Sequence, residues 1–264
     1  MPVGAPFFMR SMKRIPLIRA AAALMLIGMG LLWIAPAAAQ LPGATPESLV
    51  ALGDQAYREG NYTRAAQAYR EAAMINATYG PAWLGLGNAL YMQEEYPQAL
   101  DAYAEATNVT PGVSDAWLDK GNALRQLGRT EEAIQAYEQA IVENPASENA
   151  YYNLGLAYQE LGNNPAAMEA FDQATRLSPR DAYAWRKLGD TLYAQQKYQE
   201  AIDAYDRALA IQPGMPEAIK GKDAAQKRAS EEGPIISSIP IGGGIPLIAV
   251  AAAAGILALR KRNL

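Results

Sequence analysis

Few residues in this chain are placed to do covalent chemistry. The adjacent acids Glu94-Glu95, Glu131-Glu132 and Glu231-Glu232 could hold a cation or share acid and base duties in a hydrolysis. Each pair falls at a break between apolar runs, the usual setting of solvated surface charge. Among 264 residues there is no cysteine and no histidine, which removes thiolate nucleophiles, Cys/His zinc sites and the imidazole base. No Gly-rich phosphate loop and no Gly-x-Ser-x-Gly elbow occurs in the body of the chain. The expectation is a protein that is not an enzyme and that needs no cofactor, metal or small-molecule substrate. One class of modification remains open. Asn61, Asn76 and Asn108 each begin an Asn-x-Thr triplet near a turn or helix end, where a glycan could be accommodated.

Charge narrows the partners. Before Ala39 the only charges are Arg10, Lys13, Arg14 and Arg19, and after Gly233 only Arg260, Lys261 and Arg262, so all 27 acids lie between. An acidic body is a poor match for nucleic acid or for anionic lipid headgroups.

What the chain does have is an internal period. Gly53, Gly87, Gly121, Gly155 and Gly189 recur every 34 residues. Ala65, Ala99, Ala133, Ala167 and Ala201 keep the same register, as do Ala72, Ala106, Ala140, Ala174 and Ala208. An aromatic keeps step at Tyr69, Tyr103, Tyr137, Phe171 and Tyr205. Leu49, Trp83, Trp117, Tyr151 and Trp185 open the units. Pro111, Pro145, Pro179 and Pro213 close four of them, with Ala77 in the first. Within a unit, Tyr151, Leu154, Gly155 and Tyr158 make one face of a first helix, Gly162-Asn163-Asn164 breaks it, and Ala167, Phe171 and Ala174 make one face of a second. Small residues at the repeated Gly and Ala positions allow close backbone approach, and the apolar flank of each hairpin must be covered by its neighbour. Two departures stand out: Lys120 replaces the leucine of the other units, and Glu94 stands at a turn where glycine is expected.

The set Trp/Tyr-x2-Leu-Gly-x2-Leu/Tyr followed by Ala, aromatic, Ala and Pro resembles the tetratricopeptide repeat. The resemblance spans roughly 46–215 and implies an all-α, right-handed α-solenoid. Its units would be 46–79, 80–113, 114–147, 148–181 and 182–215, with a polar capping helix at 216–230. It also implies a concave face built from the first helices. Carried across position by position, that face holds Asn88, Tyr91, Asn122, Arg125, Tyr152, Asn153, Arg186, Lys187 and Tyr193 as the peptide-binding set, among lining residues that include Asp54, Tyr57, Leu118, Asp119 and Asp190. Asparagines suit an extended backbone, since each side chain carries a donor and an acceptor. Tyrosines offer flat apolar area with a polar tip. The family's carboxylate clamp is only partly matched: Asn122 and Asn153 fill its Asn positions and Lys187 its last basic one, but Leu118 and Tyr183 replace its two lysines.

The ends suggest where the repeats sit. Residues 1–39 have the basic start, the apolar stretch from Ala20 to Ile34 and the Ala37-Ala38-Ala39 run of a signal peptide or N-terminal anchor. After a linker at 231–244, residues 245–259 are apolar enough for a transmembrane helix, followed by a basic tail at 260–264 that stays in the cytoplasm. The tail also resembles the sorting tails of some prokaryotic surface proteins. A short linker, 40–45, joins the signal to the first unit. The expectation is a membrane-anchored, extracytoplasmic scaffold (periplasmic or cell surface) that binds a protein or peptide. The alternative is a structural envelope or surface protein that self-associates without a separate ligand.

Overall fold

The computed structural model describes residues 44–231. The expected signal peptide, transmembrane helix and basic tail lie outside the described residues, among which no helix is long and apolar enough to cross a membrane. Eleven helices and no strand occupy the described region: α1 (Pro46–Arg58), α2 (Tyr62–Ile75), α3 (Gly80–Met92), α4 (Tyr96–Val109), α5 (Ser114–Gln126), α6 (Thr130–Glu143), α7 (Glu148–Glu160), α8 (Asn164–Leu177), α9 (Ala182–Ala194), α10 (Tyr198–Ile211) and α11 (Pro216–Glu231). The all-α expectation holds, as does the packing of helices in consecutive repeats.

Local chemistry sets the helix ends. Thr45 and Ser48 form a reciprocal capping box on α1, with Pro46 at the start of the helix. Asn61, Ser147, Asn163 and Asp181 cap α2, α7, α8 and α9 with side-chain oxygens. The turn inside each hairpin needs one residue in the left-handed region. Gly60, Gly128 and Gly162 supply it at φ 72–74°, while Glu94 and Gln196 are held there at φ 62° and 63°.

Packing then follows from size alternation. The five second-helix rings, Tyr69, Tyr103, Tyr137, Phe171 and Tyr205, are all buried. A Cβ at Gly53 would stand 2.6 Å from the Tyr69 ring, and one at Gly85 on the next hairpin 2.5 Å from the same ring. Tyr205 is gripped in the same way by Gly189 and Gly221. Loops are tied to helices by indoles. Nε1–H of Trp83, Trp117 and Trp185 donates to the carbonyls of Ala77, Pro111 and Pro179 at 2.8, 2.8 and 3.0 Å. Lys120 keeps its place by laying its ammonium 4.8 Å from the centre of the Trp117 ring, where burial lowers its pKa.

Each second helix packs on its own first helix and on the next one, so the core continues from hairpin to hairpin. First helices also reach across to the next first helix (α1 to α3, α3 to α5, α5 to α7, α9 to α11), and no comparable contact joins second helices among the described residues. The first helices therefore form the inner, more crowded side of the stack. At the far end α11 covers α9 and α10 with Ala218 and Ala225, and Lys222 pairs with Asp206 at 2.6 Å.

Candidate functional site

The inner face is made of first-helix residues at fixed positions relative to the buried rings. One row follows the repeated glycine: Asp54, Asn88, Asn122, Leu156 and Asp190. Four of the five are acceptors for the tyrosine of their own hairpin. Tyr69 donates to Asp54 at 2.7 Å, Tyr103 to Asn88 at 2.8 Å, Tyr137 to Asn122 at 3.0 Å and Tyr205 to Asp190 at 2.9 Å. In the fourth hairpin both partners are apolar at once: Phe171 has no hydroxyl and Leu156 no acceptor. Burial and the neighbouring carboxylates raise the pKa of Tyr69 and Tyr205, keeping their hydroxyls protonated as donors.

A second row lies against the ring of the preceding hairpin: Gly85, Asp119, Asn153, Lys187 and Gly221. Glycine at the near end leaves a recess of about 330 Å³, walled by Val50, Asp54, Tyr57, Arg58, Leu84 and Asn88 over the Tyr69 ring. Larger residues fill the middle. Asn153 Nδ2 donates to Asn122 Oδ1 at 2.9 Å, so these two asparagines are joined to each other across hairpins.

Charges are distributed unevenly along this face. Towards the far end Arg186 pairs with Asp190 at 2.8 Å, and Arg125 lies 3.8 Å from Glu160. Lys187 is half-buried, and burial beside Arg186 lowers its pKa. Near the centre Asp119 has its pKa raised to about 6, first by burial and then by the charge of Asp115. Its hydrogen bond from Asn122 is long, at 3.4 Å.

The residues expected to bind thus fall into two groups. Asn88 and Asn122 face the inner side, but their Oδ1 atoms are engaged by tyrosine hydroxyls, and the Asn122 amide also donates to Asp119, so the Asn88 amide is the donor of the two that is left to offer. Tyr91 accepts from Gln126 at 3.3 Å and stacks edge-on with Tyr96, and Tyr193 packs on Tyr198 at 5.4 Å. Tyr152 meets Phe171 edge-on at 5.7 Å. Asn61, Asn76 and Asn108 lie on the surface; Asn61 caps α2 and Asn76 accepts from Thr78 at 3.0 Å. The tyrosine-to-acceptor pairs were not anticipated. Their signal is the joint loss of both partners at Leu156 and Phe171.

Helical hairpins stacked in one register, with a polar and aromatic inner face, define an α-solenoid repeat protein. Family profiles described as tetratricopeptide repeat match residues 56–121 and 152–216, and one described as TPR repeat matches 121–162. Those matches run unbroken through 56–216, and the chain belongs to the tetratricopeptide repeat family. Proteins of this family generally mediate protein–protein interaction. No curated protein matches. Among solved structures, YrrB, described as a TPR protein with an unusual peptide-binding site, is 22% identical with a TM-score of 0.59, covering 67% of this chain and 91% of its own. MamA from Desulfovibrio magneticus RS-1 is 21% identical with a TM-score of 0.60, covering 66% and 98%. The structure of Pseudomonas aeruginosa pilF is 20% identical with a TM-score of 0.62, covering 82% and 91%. At such identities the likeness is one of fold.

Proposed function

We propose that the chain is a non-catalytic scaffold that grips an extended segment of a partner protein along its inner face and is displayed outside the cytoplasm on a membrane anchor. The observation that carries the binding role is the first-helix face itself. It offers the Asn88 amide, tyrosines and separated charges beside a recess deep enough for a side chain. Amides of Asn88 and Asn153 contact the partner backbone, Tyr91, Tyr152 and Tyr193 its side chains, and Arg125, Arg186 and Lys187 its acidic groups. YrrB's peptide-binding site lends the reading an analogy of fold. The placement outside the cytoplasm rests on the basic ends and acidic middle of the sequence.

The test uses Lys187→Ala together with Tyr193→Ala, since neither side chain is engaged by a buried tyrosine hydroxyl. The doubly substituted full chain should keep its helicity and lose its partner by at least ~10-fold in affinity. Unchanged affinity would remove the inner face from consideration. Protease added outside intact, outer-layer-permeabilised cells should cut the repeats while sparing a tag after Leu264; protected repeats would overturn the placement.

A further inference from the structure

The three Asn-x-Thr triplets take no part in the inner face, and the fold treats them differently. Asn61 caps α2 by accepting from the Arg64 N–H at 3.1 Å, and Thr63, already in the first turn of that helix, donates to Gln93 Oε1 at 3.1 Å. Asn108 lies within α4, and Thr110 donates back to the Ala106 carbonyl at 2.8 Å while packing against Gly80. Asn76-Ala77-Thr78 alone lies wholly between helices, in the turn from α2 to α3, with all three residues exposed. Asn76 Oδ1 accepts from the Thr78 N–H at 3.0 Å and from Thr78 Oγ1 at 2.8 Å, so carboxamide and hydroxyl stand side by side. Both bonds fall on Oδ1 and neither uses Nδ2, the atom to which a glycan is joined. The turn itself is tied down. The Asn76 carbonyl accepts from the Tyr79 N–H at 3.1 Å and the Ala77 carbonyl from the Trp83 indole at 2.8 Å.

The repeat register adds an independent observation. Ala77 stands where the other four units close with Pro111, Pro145, Pro179 and Pro213. The third unit has asparagine at the same place and the same turn: Asn144 Oδ1 accepts from the Ala146 N–H at 3.1 Å, and its carbonyl from the Ser147 N–H at 3.0 Å. That turn is no acceptor, because Ala146 has no hydroxyl and a proline in the middle bars the triplet, its ring fixing φ and removing an N–H. Alanine for proline and threonine for alanine are the two changes that convert the turn, and the first unit carries both. We infer that Asn76 is an N-glycosylation site, which Asn61 and Asn108 are not, and that it takes its sugar from a lipid-linked glycosyl phosphate. Asn76 Nδ2 bonds to the anomeric carbon and the bond from that carbon to the phosphate oxygen breaks. The lipid phosphate leaves with the electron pair, and the amide nitrogen gives up one proton. The inference rests on the placement outside the cytoplasm proposed above.

For the test, the full chain is purified from its native host and sugar-bearing peptides are located by fragmentation mass spectrometry, beside the protease measurement above. Sugar is expected on Asn76 and on neither Asn61 nor Asn108. Ala77→Pro should fold as the unsubstituted chain does, since the other four turns carry proline, and should lose the sugar. Thr78→Ala should lose it too, and Thr78→Ser should keep it. Pro145→Ala together with Ala146→Thr should gain a sugar on Asn144. Bare Asn76 in repeats that protease reaches from outside would overturn the site alone. Bare Asn76 in protected repeats would overturn the placement and the site with it. Sugar on Asn61 or Asn108 in place of Asn76 would equally overturn the site.

Discussion

Asp119 and Glu94 are each costly where they stand, for different reasons. The Asp119 carboxyl has its pKa raised from 3.8 to about 6 by burial and by Asp115. Between those values the folded state holds a proton that the unfolded state has released, so stability falls as pH rises through that window. Asp119→Asn should therefore stabilise the fold at pH 7 by on the order of 1 kcal/mol and flatten stability between pH 4 and 6. Chemical denaturation at pH 4.5 and 7 checks it, and a loss of stability at pH 7 would mean the carboxylate is well paired. Glu94 and Gln196 bear a different cost, since side chains with a Cβ are held at φ 62° and 63° where the other turns use glycine. Glu94→Gly and Gln196→Gly should each add about 0.5–1 kcal/mol, seen as a higher thermal midpoint. The misfit at Glu94 is visible in the sequence because three of the other four units show glycine there, at Gly60, Gly128 and Gly162. The raised pKa of Asp119 is not, because it depends on how deeply the folded hairpins bury its carboxyl.

At the scale of helices, the buried ring and its acceptor behave as one unit. The fourth hairpin has Leu156 and Phe171 where the second has Asn88 and Tyr103. Asn88→Leu alone strands the Tyr103 hydroxyl and should cost about 1–3 kcal/mol. Adding Tyr103→Phe should restore much of that loss. A double-mutant cycle from thermal or urea melts measures the coupling, and strictly additive effects would contradict the pairing. Packing of the ring has its own test. A Cβ at Gly155 would lie 2.7 Å from the Phe171 ring, so Gly155→Ala should cost about 1–3 kcal/mol, while Gln173→Ala on the exposed side of α8 should cost under ~0.5. Helix identity and spacing were legible in the sequence because Gly, Ala and aromatic positions recur with the period of the hairpin. The reason for the asparagines was not. The same residue type serves a partner backbone or a buried hydroxyl equally well, and only the Tyr103 and Tyr137 contacts distinguish the two.

Across the described residues, the stack turns a local repeat into one continuous inner face. First helices crowd together on one side, second helices stand further apart on the other, and α11 closes the far end. Variation between repeats then writes a pattern along that surface: Gly85, Asp119, Asn153, Lys187 and Gly221 occupy equivalent positions with different chemistry. Asp119 near the centre and Lys187 further along would give a segment bound there a direction. The central claim is that this inner side holds the partner. Photo-crosslinking in living cells tests it most directly, with p-benzoylphenylalanine placed in turn at Tyr91, at Tyr193 and at Val142, which is exposed on the second-helix side. The account predicts adducts from Tyr91 and Tyr193 to neighbouring residues of one partner segment, identified by mass spectrometry, and none from Val142. Adducts from Val142 alone, or adducts from every position only to other copies of this chain, would contradict it.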